Sequence, residues 1–294
     1  MRSLTGDRRP VVGVVHPGAM GAVIASVLRG QGTTVLWASE GRSRESRTRA
    51  VEAGLVDVGS LEALVDLCGV VLSICPPATA EATAQAVTGW GFDGLYIDAN
   101  AVSPLTAGLI AATVASGGGT YVDGGIIGPP PEHGGAPTRL YLSGSQASRA
   151  ATLFGPGPIR TEVLDGTGGS ASALKMVFAA WSKGSQALLL AVRATARATG
   201  VEEALLDVWE DAMPEVAQRC ERSAGITDRA WRWAGEMKEI SETFNHAGLP
   251  GGFHLAAADV FARLEGFKGR EPGSIDAVVT AVGTRPPAPV GHAP

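Results

Sequence analysis

Lysine is nearly absent from this chain. Lys175, Lys183, Lys238 and Lys268 are all it has, and arginine carries the rest of the positive charge. A lysine inside an apolar stretch therefore stands out, and Lys175 is such a residue. Cysteine is scarce too. Cys68, Cys75 and Cys220 are odd in number, widely separated and set mostly among apolar residues. This excludes a disulfide scaffold and predicts reduced, structural thiols of a cytoplasmic protein. No Cys/His cluster has metal-ligand spacing, so no metal is predicted. The net charge is −5 with no basic block or stripe, which argues against a nucleic-acid partner. No stretch reaches membrane-spanning length without glycine, proline or charge, so no membrane association is predicted. Residues 1–10 are polar and lack an apolar h-region; they read as a flexible N-terminus and not as a signal peptide. No internal repeat is visible.

What is present begins with Val11-Val12-Gly13-Val14-Val15-His16-Pro17-Gly18-Ala19-Met20-Gly21. An apolar run predicts a buried strand, a tight turn follows, and residues 22–28 predict a helix. Strand, glycine turn and helix open a dinucleotide-binding βαβ unit. The free N–H groups and positive dipole end of such a helix suit a pyrophosphate. His16, Pro17, Gly18, Ala19, Met20 and Gly21 are the candidate residues. Gly18 lets a phosphate approach the backbone, and Gly21 lets the helix pack closely on the strand. His16 stands where the template has its first glycine, and histidine tolerates unusual backbone angles better than most residues, though less easily than glycine.

Residues 33–38 read as the second strand, after which the chain normally meets the adenine ribose. Glu40 suits a ribose 2′-hydroxyl and NAD(H). Ser39, Arg42 and Ser43 suit a 2′-phosphate, because arginine offers a planar fork of donors. The local positive charge, with Arg47 and Arg49 following, favours NADP(H) and leaves NAD(H) possible. Arg47 and Arg49 read equally well as a solvated helix start. Residues 55–58 suggest a short third strand. Residues 69–74 are a buried strand ended by Cys75-Pro76-Pro77, a stiff turn at the carboxyl edge beside the nicotinamide ribose. Residues 95–98 are the next strand. Asn100 follows it and reads either as a cofactor contact or as a turn-former. Residues 120–123 form a strand running into a loop of Gly124, Gly125, Ile126, Ile127, Gly128 and three prolines, a candidate substrate pocket. Residues 139–143 and 160–164 read as further strands.

The pattern breaks at residues 166–170, and a long helix without proline follows over residues 171–199. Lys175, Ser182 and Gln186 form a polar stripe along it. A rod this long exceeds what one small domain covers, so it is expected to lie in a homodimer interface. The predicted fold is α/β: a Rossmann-type doubly wound sheet over residues 11–165, then an all-α domain over residues 166–283 that opens with a long interdomain helix. Residues 284–294 are proline-rich and read as a disordered tail.

Together these motifs resemble the β-hydroxyacid dehydrogenase superfamily, and more closely its poorly characterised 6-phosphogluconate-dehydrogenase-like NAD(P)-binding branch, related to the imine reductases. The resemblance runs from Val11 to about Val282. Gly18-Ala19-Met20-Gly21 matches the end of the glycine motif. Asp123-Gly124-Gly125-Ile126-Ile127-Gly128 sits at the substrate-loop motif. Gly166-Thr167-Gly168-Gly169-Ser170-Ala171-Ser172-Ala173-Leu174-Lys175 matches the lead-in to the catalytic lysine.

The resemblance implies hydride transfer between a nicotinamide and a small hydroxy or keto compound. Lys175 would be the general acid/base, lying in the cleft between the domains, with Phe178 and Ser182 near the substrate. Apolar neighbours favour an uncharged lysine near neutral pH. Departures from the family pattern are Ile127 where a serine holds a carboxylate, Phe178 or Ala179 where an asparagine is expected, and an out-of-register Lys238 near the second lysine. They keep two alternatives open: an NADPH-dependent imine reductase, and a non-catalytic NADP-binding sensor.

Overall fold

The computed structural model describes residues 10–131, 138–270 and 273–284. Apart from Pro10 and Thr284, the segments read as a flexible N-terminus and a disordered tail lie outside the described residues. The chain forms two compact units, which divide within one helix between Val177 and Phe178.

The first unit is built on one eight-stranded sheet. Its strands are β1 (Val12–Val14), β2 (Val35–Trp37), β3 (Val56–Asp57), β4 (Val70–Ser73), β5 (Leu95–Asp98), β6 (Thr120–Ile127), β7 (Thr138–Ser143) and β8 (Ile159–Val163), in the order β3-β2-β1-β4-β5-β6-β7-β8. All neighbours pair in parallel except β6 with β7. The helices are α1 (Ala19–Gly30), α2 (Arg44–Glu52), α3 (Leu61–Leu67), α4 (Pro77–Gly89), α5 (Pro104–Ser116), α6 (Ala147–Ala151) and α7 (Ser170–Ala198).

Strands buried on both faces read as continuous apolar runs, and each face has its own core. Ile24 and Leu28 of α1, Ala50 of α2 and Phe154 just after α6 pack over Val14, Leu72, Ile97 and Leu142. On the other face Leu64 of α3, Ala84 of α4 and Ile110 of α5 pack over Val71 and Tyr96. Each fully buried large aliphatic side chain contributes about 1.5–3 kcal/mol.

One expectation is corrected. Gly124, Gly125, Ile126 and Ile127 are not a loop: they continue β6, paired in register from Asp123↔Ser143 to Ile127↔Arg139. The antiparallel partner β7 supplies the ladder that the glycines alone do not favour. The turn starts at Gly128, whose φ of 121° is open only to glycine.

The second unit is helical. After α7 come α8 (Glu202–Ala212), α9 (Pro214–Arg222), α10 (Thr227–Ala230), α11 (Trp233–His246), α12 (Gly252–Ala262) and α13 (Ile275–Gly283). α11 and α12 form an antiparallel pair. Trp233 meets Phe261 edge-on at 5.2 Å, and Phe244 lies 4.4 Å from His254 at the other end. Buried Arg193 of α7 ties three helices together through Glu202, Glu221 and Asp276. Gln186 of the anticipated polar stripe is spent on Ser223 within this unit, and the Ser182 carbonyl accepts from Arg219. No helix of the described residues is long and apolar enough to cross a membrane, and no group among them has metal-ligand spacing.

Candidate functional site

The strand order reverses between β1 and β4, and ligands of such sheets bind at the carboxyl ends beside that switch point. Helix capping bears on the same place. Ser43, Ser60 and Ser103 cap α2, α3 and α5 with their side chains. The helices that follow β1 and β4 have no side-chain cap: α1 begins at Gly18 and α4 at Pro76. Proline at the first position of α4, Pro77, suits a helix start. α6, away from the switch point, also lacks a side-chain cap, and Pro76 and Pro77 bring no N–H to the α4 end; beside the switch point it is the α1 end whose donors are left for something else.

The β1–α1 loop has the two glycines that close backbone approach requires. A Cβ on Gly21 would lie 2.5 Å from the His16 carbonyl oxygen, so only glycine lets α1 sit this tightly. A Cβ on Gly18 would meet nothing within 4 Å, which leaves an open cradle at the helix end. His16 has an ordinary backbone conformation, since no described non-glycine residue has positive φ. Its carbonyl accepts from Gly18 N at 2.8 Å. Burial, with the Arg42 charge adding to it, lowers the His16 imidazole to about 4, so it is neutral at pH 7. Ala19 is exposed and Met20 half-buried.

Arg42 is half-buried and acts on both His16 and Cys75, so the end of β2, the glycine loop and the β4 turn converge. His16 Nδ1 and Arg42 Nε are buried without hydrogen-bond partners. Ser39 is buried and Glu40 exposed; Ser43 is spent capping α2. Arg47 and Arg49 are more than a solvated helix start. Arg47 donates to the Ser39 carbonyl at 2.7 Å and Arg49 to the Pro17 carbonyl at 3.1 Å, which braces the glycine loop.

Asn100 is buried, and both ends of its amide are engaged. Oδ1 accepts from Cys75 N at 2.6 Å, and Nδ2 donates to Ser73 Oγ at 3.1 Å. It fixes the turn of half-buried Cys75 and exposed Pro76. Burial raises the Cys75 thiol above its ordinary value, so the thiol is protonated.

Lys175 is half-buried in the second turn of α7. A Cβ on Gly125 would lie 2.5 Å from the Ala171 carbonyl and 3.2 Å from Lys175 Cβ. The structure therefore brings together Gly125 and Lys175, which sequence reading assigns to separate motifs. Gly124 instead backs onto β5, where a Cβ on it would lie 2.8 Å from the Asp98 carbonyl oxygen. Ile126 is buried, Ile127 half-buried and Gly128 exposed. Phe178 is exposed, Ser182 is half-buried and Lys238 is exposed; all three belong to the second unit.

Sequence reading places Asp123 in a motif but misses that it holds the lysine helix. Asp123 is fully buried. Its Oδ2 accepts from Gly169 N at 2.9 Å, Ala171 N at 2.8 Å, Ser172 N at 3.0 Å and Ser143 Oγ at 2.8 Å, while Oδ1 accepts from Ser172 Oγ. One carboxylate thus satisfies three backbone donors at the start of α7 and pins that helix to β6. The sequence marks Asp123 only as an acidic residue closing an apolar strand and opening the substrate-loop motif, with no sign of this role.

A family profile described as a domain of unknown function, DUF1932, matches residues 196–264. An uncharacterized 28.5 kDa protein encoded in the 7S RNA 5′ region of Methanothermus fervidus is 30% identical over 174 residues, 58% of this chain. The matched segment spans 65% of that relative's length. Among solved structures, the conserved protein MTH1747 of unknown function, itself described as structurally similar to 3-hydroxyacid dehydrogenases, has 27% identity and a TM-score of 0.61. That match covers 86% of this chain and 97% of that one. Mycobacterium tuberculosis 3-hydroxyisobutyrate dehydrogenase has 16% identity and a TM-score of 0.69, with 94% and 100% covered. A reductive aminase from Aspergillus terreus in complex with NADPH has 20% identity and a TM-score of 0.53, with 93% and 99% covered. The chain shares the fold of these structures: a Rossmann-type sheet followed by a helical part.

Proposed function

We propose that the chain is a nicotinamide-dependent oxidoreductase of the β-hydroxyacid dehydrogenase type, acting on a small hydroxy or keto compound. The observation that carries this reading is the uncapped α1 end at the switch point, with an open Gly18 and unpartnered His16 Nδ1 and Arg42 Nε beside it. These residues fit a dinucleotide: the α1 end suits the pyrophosphate and Arg42 a 2′-phosphate. The nicotinamide would supply or accept the hydride. Lys175 would give or take the proton at the substrate oxygen, its backbone fixed against Gly125.

Titration of NADPH and NADH into wild type and Arg42→Ala tests the cofactor assignment. NADPH should bind more tightly, and the variant should lose affinity for NADPH selectively. Equal affinities in wild type would sink the NADP(H) preference. Turnover on panels of hydroxyacids, ketones and cyclic imines tests the chemistry. Lys175→Ala should lower turnover about 10²–10⁴-fold with cofactor affinity nearly unchanged. An alanine variant with full activity would refute the lysine mechanism.

A second reading, reduction of imines, draws on Ile127 and Phe178. Apolar side chains stand where carboxylate contacts are expected, which favours a less acidic substrate. Activity on the imine panel alone would select it, and cofactor binding without turnover of any panel member would select a sensor. We also propose a homodimer through α7. Val177, Phe178, Trp181, Leu188 and Val192 recur at helical spacing and are 39–75% exposed. A monomeric mass by light scattering at micromolar concentration would overturn the dimer.

A further inference from the structure

A buried polar row crosses the sheet at the carboxyl ends of its central strands. Register places Ser73 of β4 beside Asp98 of β5, Asp98 beside Asp123 of β6, and Asp123 beside Ser143 of β7. All four are at most 1% exposed. The two carboxyl groups do different things. Asp123 accepts five hydrogen bonds, four from the start of α7 and one from Ser143 of β7, the environment of an anion. Asp98 Oδ1 accepts one, from Asn100 N at 2.9 Å, and its Oδ2 is buried without a partner.

The groups acting on Asp98 come from every neighbouring strand. Cys75 follows β4, Tyr96 lies on β5 itself, and Tyr121 and Asp123 lie on β6. None is cationic. Two carboxylates side by side in a dry row cannot both ionise cheaply, so one keeps its proton. Desolvation first, and the Asp123 charge after it, push Asp98 up to about 7.

We propose that Asp98 and Asp123 share a single negative charge and act as a positioning pair: protonated Asp98 lets Asp123 hold the lysine helix while Asp98 itself holds the Asn100 turn. Neither residue touches substrate. Their effect reaches the site through Lys175 on one side and Cys75–Pro77 on the other. The pair sets an upper pH limit: loss of the Asp98 proton puts a second negative charge in the row and loosens the start of α7. The link to catalysis rests on the oxidoreductase reading. The charge sharing does not, and neither cofactor nor substrate is needed to test it.

Infrared spectroscopy of the wild-type protein reads the proton directly. A protonated-carboxyl band should persist at about pH 6, where ordinary carboxylates are ionised, disappear by about pH 8, and be absent from Asp98→Asn. Hydrogen exchange reads the positioning. Protection factors at the amides of Gly169, Ala171 and Ser172 should fall at least about tenfold in wild type as pH rises through about 7, and stay level in Asp98→Asn, whose amide cannot ionise. Absence of the band from wild type overturns the shared charge whether or not the variant folds. Equal pH dependence of protection in both proteins overturns the positioning role. Retained cofactor binding alongside either failure would leave the oxidoreductase reading intact.

Discussion

Two helices of the first unit begin in opposite ways. α7 starts on a buried carboxylate that satisfies three of its backbone donors. α1 starts on a glycine with no side-chain cap and open space where a side chain would stand. The four free donors at a helix start must find partners, and a protein can supply them or leave them for a ligand. Where the chain must aim a side chain, at Lys175, it supplies them. At the glycine loop, where the proposed reading would seat a pyrophosphate, it leaves them without a side-chain cap. A capped helix end can thus serve as a mount, and under the proposed reading the uncapped one at the sheet's switch point serves as a receptor.

The comparison is broken most severely by removing the mount. Asp123→Ala leaves the buried N–H groups of Gly169 and Ser172 with no acceptor, and Ala171 N with Ser143 Oγ alone. Each such group costs about 1–3 kcal/mol, so the variant should lose roughly 3–5 kcal/mol by urea unfolding. A loss below about 1 kcal/mol would mean that the cap does not hold α7.

Much of this contrast is open to reading in the chain, but not its cause. Strands β1, β2, β4 and β5 announce themselves as short apolar runs. α7 is expected over residues 171–199 and runs Ser170–Ala198, because a long apolar-polar period without proline has no other stable form. The extension of β6 through Gly124 and Gly125 is hidden, since its support comes from β7 across the sheet. Asp98 and Asp123 look like two unrelated strand ends. Only register sets them side by side, and register is not a local property of the sequence. The stripe of Lys175, Ser182 and Gln186 misleads for a similar reason. Helical spacing puts the three on one rod but cannot show Gln186 spent on Ser223.

The comparison is sharpened by turning the receptor into a mount. Gly18→Asp gives α1 the side-chain cap it lacks. Gly18 sits at φ −70°, ψ −176°, extended backbone that any residue adopts, and a Cβ there meets nothing within 4 Å. Aspartate caps better than glycine by only a few tenths of a kcal/mol, and its charge suits the dipole. Stability should therefore hold or rise slightly, which separates this variant from a folding defect. Cofactor affinity should move the other way. The new carboxylate occupies donors that the pyrophosphate needs and repels its charge, so NADPH should bind at least about tenfold more weakly, or about 1.4 kcal/mol. Gly18→Ser adds the cap without the charge and should fall between. Added salt should recover part of the loss in the aspartate variant and little in the serine variant, because only the former includes a screened repulsion. Fluorescence titration of the three proteins at two ionic strengths reads all of this. Wild-type affinity in Gly18→Asp would mean that the open end of α1 is not where the dinucleotide binds.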